Sequence, residues 1–273
     1  MRLLAEHASD LRHRLHLRAV YADLDGTLFG PGSSLFADGA GGVTTAATEA
    51  LAALHRAGVA LIPMSGRTRP QVREAARILG ARDFIAELGG LLCLDGGDEV
   101  VHVATGSSVV AMARSGAPAL LLESFPGRLE PHGPWAFEPR EVTMLFRGLV
   151  DPSGARRVLD ETGHRELDLR DNGTIEGRYP DLRTDEVHAY HLLPRGVSKA
   201  AAVAEHAGRR KFSLEACLVV GDSPSDAEVA PRVGAVCIVA NGAGAVVADD
   251  VYLTEKPYGE GFAEAVRAVL PVG

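Results

Sequence analysis

The sequence predicts an α/β fold in which a doubly wound parallel sheet is interrupted by an inserted α+β segment. Short apolar runs that end in charge or glycine alternate with helical segments near the start of the chain, as buried parallel strands do. The same alternation resumes after Gly196, whereas residues 92–190 have the texture of antiparallel hairpins. The two outer stretches are therefore expected to form halves of one Rossmann-like sheet.

The first half is predicted to run strand, helix, strand, helix, strand, after an amphipathic helix at the N-terminus. The second helix of this series begins with a T-x-x-Q capping box, in which Thr68 and Gln71 satisfy free backbone N–H groups. The predicted elements are a strand at 19–23, a helix ending at Gly58, a strand at 59–64, a helix ending at Gly80 and a strand at 84–86.

The second half is predicted to contain a helix from Ser198, a strand at 216–220, a helix from Pro224 and a strand at 235–239. The inserted segment contains a helix opened by Asp151 and Pro152. Within it, Asp171-Asn172-Gly173 is predicted to be the turn of a hairpin. A second turn, Asp95-Gly96-Gly97-Asp98, is expected at the hinge into the insertion.

Composition excludes several classes of protein. The 273 residues carry 28 Lys and Arg against 36 Asp and Glu, a net charge of −8, which argues against a large nucleic-acid surface. Apolar runs fall short of the roughly 20 residues needed to span a bilayer, and a signal peptide is not expected. The cysteines Cys93, Cys217 and Cys237 are far apart, which disfavours a disulfide framework or structural zinc and favours a cytoplasmic protein.

Polar residues cluster where predicted parallel strands end, the edge at which such sheets bind ligands. These residues are Asp23, Asp25, Ser65, Asp222 and Asp226, and Lys199 is predicted at the start of the helix that follows the insertion. Carboxylates that converge without His or Cys suit a hard cation, and Mg²⁺ is the usual choice when a phosphate shares the coordination sphere. An ionised carboxylate can also attack phosphorus, provided that a metal and a lysine neutralise the phosphoryl charge.

Four segments resemble, in order, the four motifs of the haloacid dehalogenase (HAD) superfamily. They are Asp23-Leu24-Asp25-Gly26-Thr27, Ser65, Lys199 and Gly221-Asp222-Ser223-Pro224-Ser225-Asp226. A D-x-D pair alone is weak evidence, but this ordered set is specific and spans about 19–241. Because of this resemblance, we expect a phosphatase mechanism with an aspartyl-phosphate intermediate.

The resemblance implies a role for each motif residue. Asp23 would be the nucleophile and a Mg²⁺ ligand, and Asp25 the general acid and base, with its backbone carbonyl on the metal. Ser65 would hold phosphoryl oxygens, and Lys199 would stabilise charge on the nucleophile and the phosphate. Asp222 would be a further metal ligand.

Asp226 has two interpretations. It is a candidate Mg²⁺ ligand by its place in the motif, but Ser223 and Asp226 also form an S-x-x-D capping box that requires no metal. Orientation of Lys199 or of a metal-bound water is the alternative role. Ser225 stands where the motif often has Asn.

Spacing indicates where the insertion lies. The chain between Ser65 and Lys199 has room for a domain of about a hundred residues, which resembles the C2-type cap of subclass IIB. Glu87-Leu88-Gly89-Gly90 is similar to the E-N-G-A/G signature of that branch, with Leu88 in place of Asn. The predicted catalytic core is 1–91 with 191–273, and the predicted cap, which would set specificity, is 92–190.

Members of this branch include sucrose, trehalose and mannosyl-3-phosphoglycerate phosphatases and the Cof-like hydrolases. The substrate expected here is a sugar phosphate or a similar small phosphorylated metabolite. The residues expected to bind it are Thr27, Gly66, Arg67, Arg178 and Asn241, with Arg147, Tyr179 and His188 as further cap candidates. Neither a nucleic acid nor a membrane is an expected partner, and the chain is expected to be a monomer or homodimer.

Three other functions remain open at this level. A phosphomutase would result if water were excluded and the aspartyl-phosphate returned its phosphoryl group to a sugar. A glycosyltransferase could use the D-x-D pair for a nucleotide sugar, but would leave Ser65, Lys199 and Asp222 unexplained. A non-catalytic module binding Mg²⁺ and phosphate is the third.

Overall fold

The structure is a computed structural model that describes residues 1–104, 108–133, 140–175 and 177–270. The chain divides into two compact units, one formed by Met1–Val101 with Ser198–Gly273 and the other by His102–Val197. The first contains a mainly parallel sheet with helices, and the second an antiparallel sheet with helices. The predicted α/β class is confirmed.

The helices and strands of the described residues have the following bounds. The strands are β1 (Arg2–Leu3), β2 (Ala19–Asp23), β3 (Ala60–Met64), β4 (Phe84–Ala86), β5 (Leu91–Leu94), β6 (Glu99–His102), β7 (Leu129–Pro131), β8 (Met144–Gly148), β9 (Leu167–Thr174), β10 (His188–Pro194), β11 (Cys217–Gly221), β12 (Ala235–Ile238) and β13 (Tyr252–Leu253). The helices are α1 (Leu4–Arg14), α2 (Ala46–Arg56), α3 (Arg69–Leu79), α4 (Val109–Ser115), α5 (Ala117–Ser124), α6 (Pro152–Glu161), α7 (Lys199–Arg210), α8 (Pro224–Ala227) and α9 (Tyr258–Val269).

The larger sheet joins the two ends of the chain. Its order is β1-β13-β12-β11-β2-β3-β4-β5-β6, and the pairings from β1 to β4 are parallel. The pair of β11 with β2 places Cys217 opposite Ala19, so strands nearly two hundred residues apart are neighbours at its centre. The expectation that both ends of the chain build one parallel sheet is confirmed.

Sequence signals explain where the elements of the first unit begin and end. All five residues of β2 are buried, as expected of a central parallel strand. The predicted capping box of α3 forms between Thr68 and Gln71, and Gly80 ends that helix with a left-handed backbone at φ 72°. Cys93, Cys217 and Cys237 are buried free thiols, so they are packed as small apolar residues.

The second unit is built on a four-stranded antiparallel sheet of order β7-β8-β10-β9. Its apolar core includes residues of α5, α6 and the strands, among them the fully buried Phe146 and Tyr190. The Tyr190 hydroxyl donates to the Val150 carbonyl at 3.0 Å and accepts from the Val150 N–H at 3.1 Å. Asp151 caps α6 as the sequence predicts, accepting from the N–H groups of Ser153 and Gly154.

The predicted hairpin turn at Asp171-Asn172-Gly173 is wrong. These residues lie inside β9, whose partner is β10, with Asp171 opposite Tyr190 and Thr174 opposite His188. The register shifts between the two pairs, which makes this a β-bulge. Gly173 adopts a φ of 90° and donates its N–H to the Asp171 side chain at 2.8 Å, so an Asn-Gly signal produces a bulge here and no chain reversal.

The turn at 95–97 also differs from its predicted place. It connects β5 to β6 within the larger sheet and does not mark the hinge. The chain passes from one compact unit to the other at 101/102 and at 197/198. Both boundaries are C-terminal of the crossings predicted near 92 and 191. The reason is that β5 extends the larger sheet and that β10 continues to Pro194 in the smaller one. The assignment of the second unit as a specificity-setting cap stays a prediction.

Among the described helices, none is long and apolar enough to cross a bilayer.

Candidate active site

The carboxyl ends of three adjacent strands bring the motif residues together. Asp23 is the last residue of β2 and lies opposite Met64, the last residue of β3, so Ser65 follows next to it. On the other side β11 pairs with β2, and Asp222 comes directly after that strand. The parallel register therefore places Asp23, Ser65 and Asp222 at one edge of the sheet, as predicted from the strand ends.

Lys199 binds two of the carboxylates. It is the first residue of α7 and only 2% exposed. Its Nζ donates to Asp23 Oδ1 at 2.5 Å and to Asp226 Oδ1 at 2.8 Å. Such charge-assisted bonds are short and strong, so the three side chains form one fixed cluster.

Burial and charge set the protonation behaviour of this cluster. Burial raises the pKa of Asp23 well above its usual range, Lys199 opposes the rise, and Asp226 and Asp222 add to it. Burial likewise raises the pKa of Asp222 to about 7, with Asp226 adding and Lys199 opposing. For Lys199, burial lowers the pKa, but Asp226 and Asp23 outweigh it and raise the pKa above its usual range. Ionisation of Asp23 and Asp222 is thus disfavoured, because several buried carboxylates crowd around one ammonium.

Asp222 lies against the loop that follows β2. A Cβ atom added to Gly26 would lie 2.1 Å from Asp222 Oδ2, and Gly26 has a φ of 82°. Glycine is thus required here because a side chain would clash with Asp222 and because other residues rarely adopt this positive φ. The neighbouring Thr27 is fully buried, and its hydroxyl oxygen makes no hydrogen bond of ordinary geometry within the described residues. A side chain at position 26 would block the approach of Asp222 to this loop.

Both carboxylate oxygens of Asp226 have protein partners. Oδ1 accepts from Lys199, and Oδ2 accepts from the hydroxyl of Ser223 at 2.6 Å and from its N–H at 3.3 Å. The predicted capping box of α8 is therefore present. Of the two interpretations of Asp226, this geometry favours orientation of Lys199, because neither oxygen points away from a protein donor.

Ser65 is held by a strained turn that also contacts α7. Its carbonyl accepts from the Leu88 N–H at 3.1 Å, and its hydroxyl accepts from the Arg67 N–H at 3.1 Å. Glu87, Leu88 and Gly89 all have positive φ, at 51°, 56° and 94°. A Cβ on Gly89 would lie 2.2 Å from the Ser198 carbonyl oxygen, so this turn packs directly against the start of α7.

Asp25 is bound by Arg67 and Ser33. The Arg67 Nε donates to Asp25 Oδ2 at 2.6 Å, and its terminal nitrogen donates to Asp25 Oδ1 at 2.5 Å. Ser33 accepts from Arg67 at 2.8 Å and donates to Asp25 Oδ1 at 3.1 Å. Sequence reasoning named Arg67 as a residue that binds substrate, whereas here it forms a bidentate ion pair with Asp25.

Two of the other residues predicted to bind substrate are Asn241 of the first unit and Arg178 of the second. The Asn241 amide donates to the Gly26 carbonyl at 2.8 Å, and its oxygen accepts from the Tyr258 N–H at 2.9 Å, so Asn241 joins two loops of the core. Arg178 is an exposed residue of the second unit, and its side chain has no hydrogen bond or ion pair to the part of the chain that the structure describes. Gly66 lies between Ser65 and Arg67, and its role stays a prediction.

Three cap candidates have partners inside the second unit. Arg147 donates to Glu130 at 2.5 Å, and its guanidinium lies 4.2 Å from the centre of the Tyr179 ring. His188 hydrogen-bonds to Asp171 at 2.7 Å. These contacts show how the residues are held in place, and their role in specificity stays a prediction.

Sequence reasoning missed two positions that shape the candidate site. Ser33 lies in a Gly-rich loop without periodicity, and no residue pattern indicates that it reaches Asp25. Gly89 belongs to the Glu87-Leu88-Gly89-Gly90 segment, which marked a resemblance without revealing that its third residue must contact Ser198. The run of two glycines after an apolar strand was the available signal.

The donor set fits Mg²⁺. Among the described residues, no three His, Cys, Asp or Glu side chains converge closely enough to form a metal site on their own. Magnesium does not need such a group, because it is usually bound by one or two carboxylates with waters and substrate phosphate. Asp23 and Asp222 supply oxygen ligands at adjacent strand ends, and a bound cation would offset the repulsion among the carboxylates around Lys199.

Comparisons with known proteins agree with the observed fold. No protein-family model matches the sequence. The phosphoglycolate phosphatase of Methanoculleus marisnigri is 26% identical over 255 residues, which cover 93% of this chain and 97% of that protein. The sucrose-phosphatase from Synechocystis, solved with sucrose and phosphate, gives a TM-score of 0.62 at 16% identity, covering 92% of this chain and 97% of that one. A sugar phosphatase of HAD subclass IIB gives 0.56 at 16% identity, with coverages of 87% and 92%.

Proposed function

We propose that this chain is a haloacid dehalogenase-like hydrolase, a proposal that its fold and the order of its motifs support. The function is hydrolysis of a phosphomonoester of a small metabolite through a covalent intermediate on Asp23, with Mg²⁺ as cofactor. The observation that carries it is the cluster in which buried Lys199 binds both Asp23 and Asp226, at the strand edge shared with Asp222 and Ser65.

Asp23 is suited to attack phosphorus. Its Oδ1 accepts from Lys199, while Oδ2 has no hydrogen bond to the described residues and is the oxygen we assign as nucleophile. Oδ2 forms the new bond to phosphorus as the bond to the leaving oxygen breaks. Bound Mg²⁺, held by Asp23, Asp222 and the Asp25 carbonyl, would supply the positive charge that lets two anionic groups approach.

Asp25 is suited to move the proton in both half-reactions. As a carboxylic acid it gives its proton to the leaving alkoxide oxygen, and as a carboxylate it takes a proton from the water that attacks phosphorus. That attack breaks the bond between phosphorus and Asp23, which regenerates the nucleophile. Ser65 and the nearby backbone N–H groups would hold the phosphoryl oxygens meanwhile.

The relatives support a small substrate. The relative from Methanoculleus marisnigri is named for phosphoglycolate, an ester whose leaving group carries a carboxylate, and the structural neighbours are named for sucrose phosphate and sugar phosphates. We propose that the substrate is a small phosphorylated metabolite of one of these kinds, with residues of the second unit contributing to its selection.

The test is phosphate release from a panel of sugar phosphates and phosphorylated small acids, with Mg²⁺ and with EDTA. Wild type should release phosphate only with metal. Asp23→Asn should lose at least about 10³-fold in kcat, because an amide oxygen is a poor nucleophile. The matched control Asp10→Asn changes an exposed aspartate of α1 and should leave release unaltered. Equal activity in Asp23→Asn and wild type would exclude this mechanism.

A further inference from the structure

His188 joins two parts of the second unit through both of its ring nitrogens. Its Nδ1 lies 2.7 Å from Asp171 Oδ2 on the neighbouring strand β9, and its Nε2 lies 3.1 Å from Glu186 Oε1. Glu186 belongs to the segment 177–187, which leads into β10. The imidazole therefore ties this segment to the bulge in β9.

Two carboxylate partners require a protonated imidazole. A neutral imidazole has one N–H and one bare nitrogen, whereas an imidazolium donates from both nitrogens. Burial would lower the pKa of His188, but the hydrogen bonds to Glu186 and Asp171 outweigh it and raise the pKa above its usual value. Both hydrogen bonds are therefore present below that pKa, and one is lost as pH rises through it.

The charged groups around His188 come from the elements packed against it. Among the described residues, Asp171 of β9 and Glu186 of the segment face the ring, and β8 places an uncharged glycine opposite it. Arg128 interacts electrostatically with the hydroxyl of Tyr190, whose ring lies nearly parallel to that of His188 at 6.1 Å. Two anions thus act directly on one cation.

Glu186 is the partner that deprotonation releases. The other oxygen of Asp171 is fixed by the Gly173 N–H at 2.8 Å, and side-chain exposure is 33% for Asp171 but 63% for Glu186. The Thr174 hydroxyl lies 3.5 Å from Nε2 and can donate to that nitrogen once it is bare. Loss of one proton thus replaces a partner on the segment by a partner within β9.

We propose that His188 is a pH-dependent clasp, closed on the segment 177–187 when the ring is protonated and open when it is neutral. The segment carries Arg178 and Tyr179, and the Tyr179 ring packs against the Arg147 guanidinium at 4.2 Å. The clasp therefore controls how firmly these predicted substrate-binding residues are held. His188 is a positioning residue, because it acts through the segment and does not touch the phosphate ester.

Amide hydrogen exchange of the full chain tests the clasp, read by mass spectrometry between about pH 6 and pH 9 and corrected for the intrinsic pH dependence of exchange. Protection of the 177–187 amides should fall by about threefold as pH rises, since exposed charge pairs contribute little. The midpoint should equal the pKa at which the His188 ring titrates in a proton NMR spectrum. In His188→Gln and Glu186→Gln, protection should stay at the high-pH level throughout.

Glu161→Gln changes an exposed glutamate of α6 in the same unit, and this matched control should keep the wild-type profile. A wild-type profile without a midpoint, or a midpoint that persists in Glu186→Gln, would overturn the clasp. If His188→Gln lost protection across the whole second unit, its effect would be one of folding. Glu186→Gln, which alters an exposed side chain and leaves the imidazole in place, then decides the question.

Discussion

At the scale of single residues, Lys199 is the most consequential side chain of the site. Its ammonium is buried and bonded to Asp23 and Asp226, which are themselves 7% and 0% exposed. A buried ion pair adds little net stability, because desolvation of the charges opposes their attraction. Removing one partner is strongly destabilising, because the remaining charges stay buried without an opposite charge beside them.

We therefore predict that Lys199→Met lowers the free energy of unfolding by about 3 kcal/mol and abolishes phosphate release. Adding Asp226→Asn should recover part of the lost stability, because one of the two uncompensated carboxylates is removed while the cap of α8 is kept. Urea unfolding in EDTA measures both changes. Exposed Lys256→Met is the control, and a double variant no more stable than the single one would contradict the electrostatic explanation.

Residue types and their order could be predicted, but side-chain partners could not. The motif residues were identified from the sequence because each follows an apolar strand or begins a helix. The pairing of Asp25 with Arg67 depends on rotamers and on Ser33 in a Gly-rich loop, neither of which follows from periodicity. Asn241 was expected to bind substrate, yet its amide joins two loops of the core.

At the scale of elements, the turn at 87–89 fixes the start of α7. Its three residues have positive φ, a conformation that costs non-glycine residues about 1 kcal/mol or more each. Such strain persists only where surrounding contacts enforce it. Backbone bonds from Glu87 to Arg67 and from Leu88 to Ser65 provide that support, and Gly89 lies against Ser198.

Gly89→Ala should therefore displace the end of α7 that carries Lys199. A Cβ there would lie 2.2 Å from the Ser198 oxygen, so we predict a loss of about tenfold or more in kcat, because small misplacements of catalytic groups are costly. Gly96→Ala is the matched control, because Gly96 also has positive φ but nothing lies within 4 Å of its added Cβ. Steady-state kinetics and thermal unfolding of both variants separate the clash from backbone strain. Equal kcat in the two variants would rule out the positioning role.

Helices and strands could be predicted where the apolar pattern and the helix-capping residues indicate the same element. They were harder to predict where one sequence pattern is compatible with two backbone structures. The buried strands and the capping boxes of α3 and α8 follow from short-range patterns. The Asn172-Gly173 pair does not distinguish a chain reversal from a bulge, because both require a positive φ at glycine. Only the pairing of β9 with β10, which is long-range information, decides between them.

At the scale of the whole molecule, a buried polar network links the two sequence halves of the larger sheet. Asp83, just before β4, accepts from His206 of α7 at 2.9 Å and from Arg210 at 2.7 Å on both oxygens. His206 is fully buried and hydrogen-bonds to the Tyr21 hydroxyl of β2 at 2.8 Å. The network therefore joins segments that lie more than a hundred residues apart.

Because of this network, we expect the free energy of unfolding to fall as the pH becomes acidic. Burial would raise the pKa of Asp83, but the hydrogen bonds from His206, Arg210 and the Asp95 N–H outweigh it and hold the pKa well below its usual range. The contribution of ionised Asp83 to stability is thus complete above the pKa of its carboxyl in the unfolded chain, about 4, and is lost as pH falls below that value. We predict that Asp83→Asn is less stable than wild type at pH 7 by about 2 kcal/mol.

The pH profile is the sharper readout. Urea midpoints between pH 7 and pH 2 should show the difference between wild type and Asp83→Asn narrowing below about pH 4. Exposed Asp250→Asn, from a surface pair with Arg2, provides the baseline. A difference that stays constant over this range would show that the carboxylate charge of Asp83 does not contribute.

The pairing of β2 with β11 also sets an order of events during synthesis. The ribosome releases the N-terminal half of the larger sheet first, with β2 lacking its neighbour on one side until β11 has emerged. Residues 102–197 emerge in between and hold a complete hydrophobic cluster of their own. The nascent chain thus carries an apolar strand edge, a template for wrong pairing, through most of translation. We therefore expect the nascent chain to need chaperones for longer when the time between synthesis of β2 and synthesis of β11 is longer.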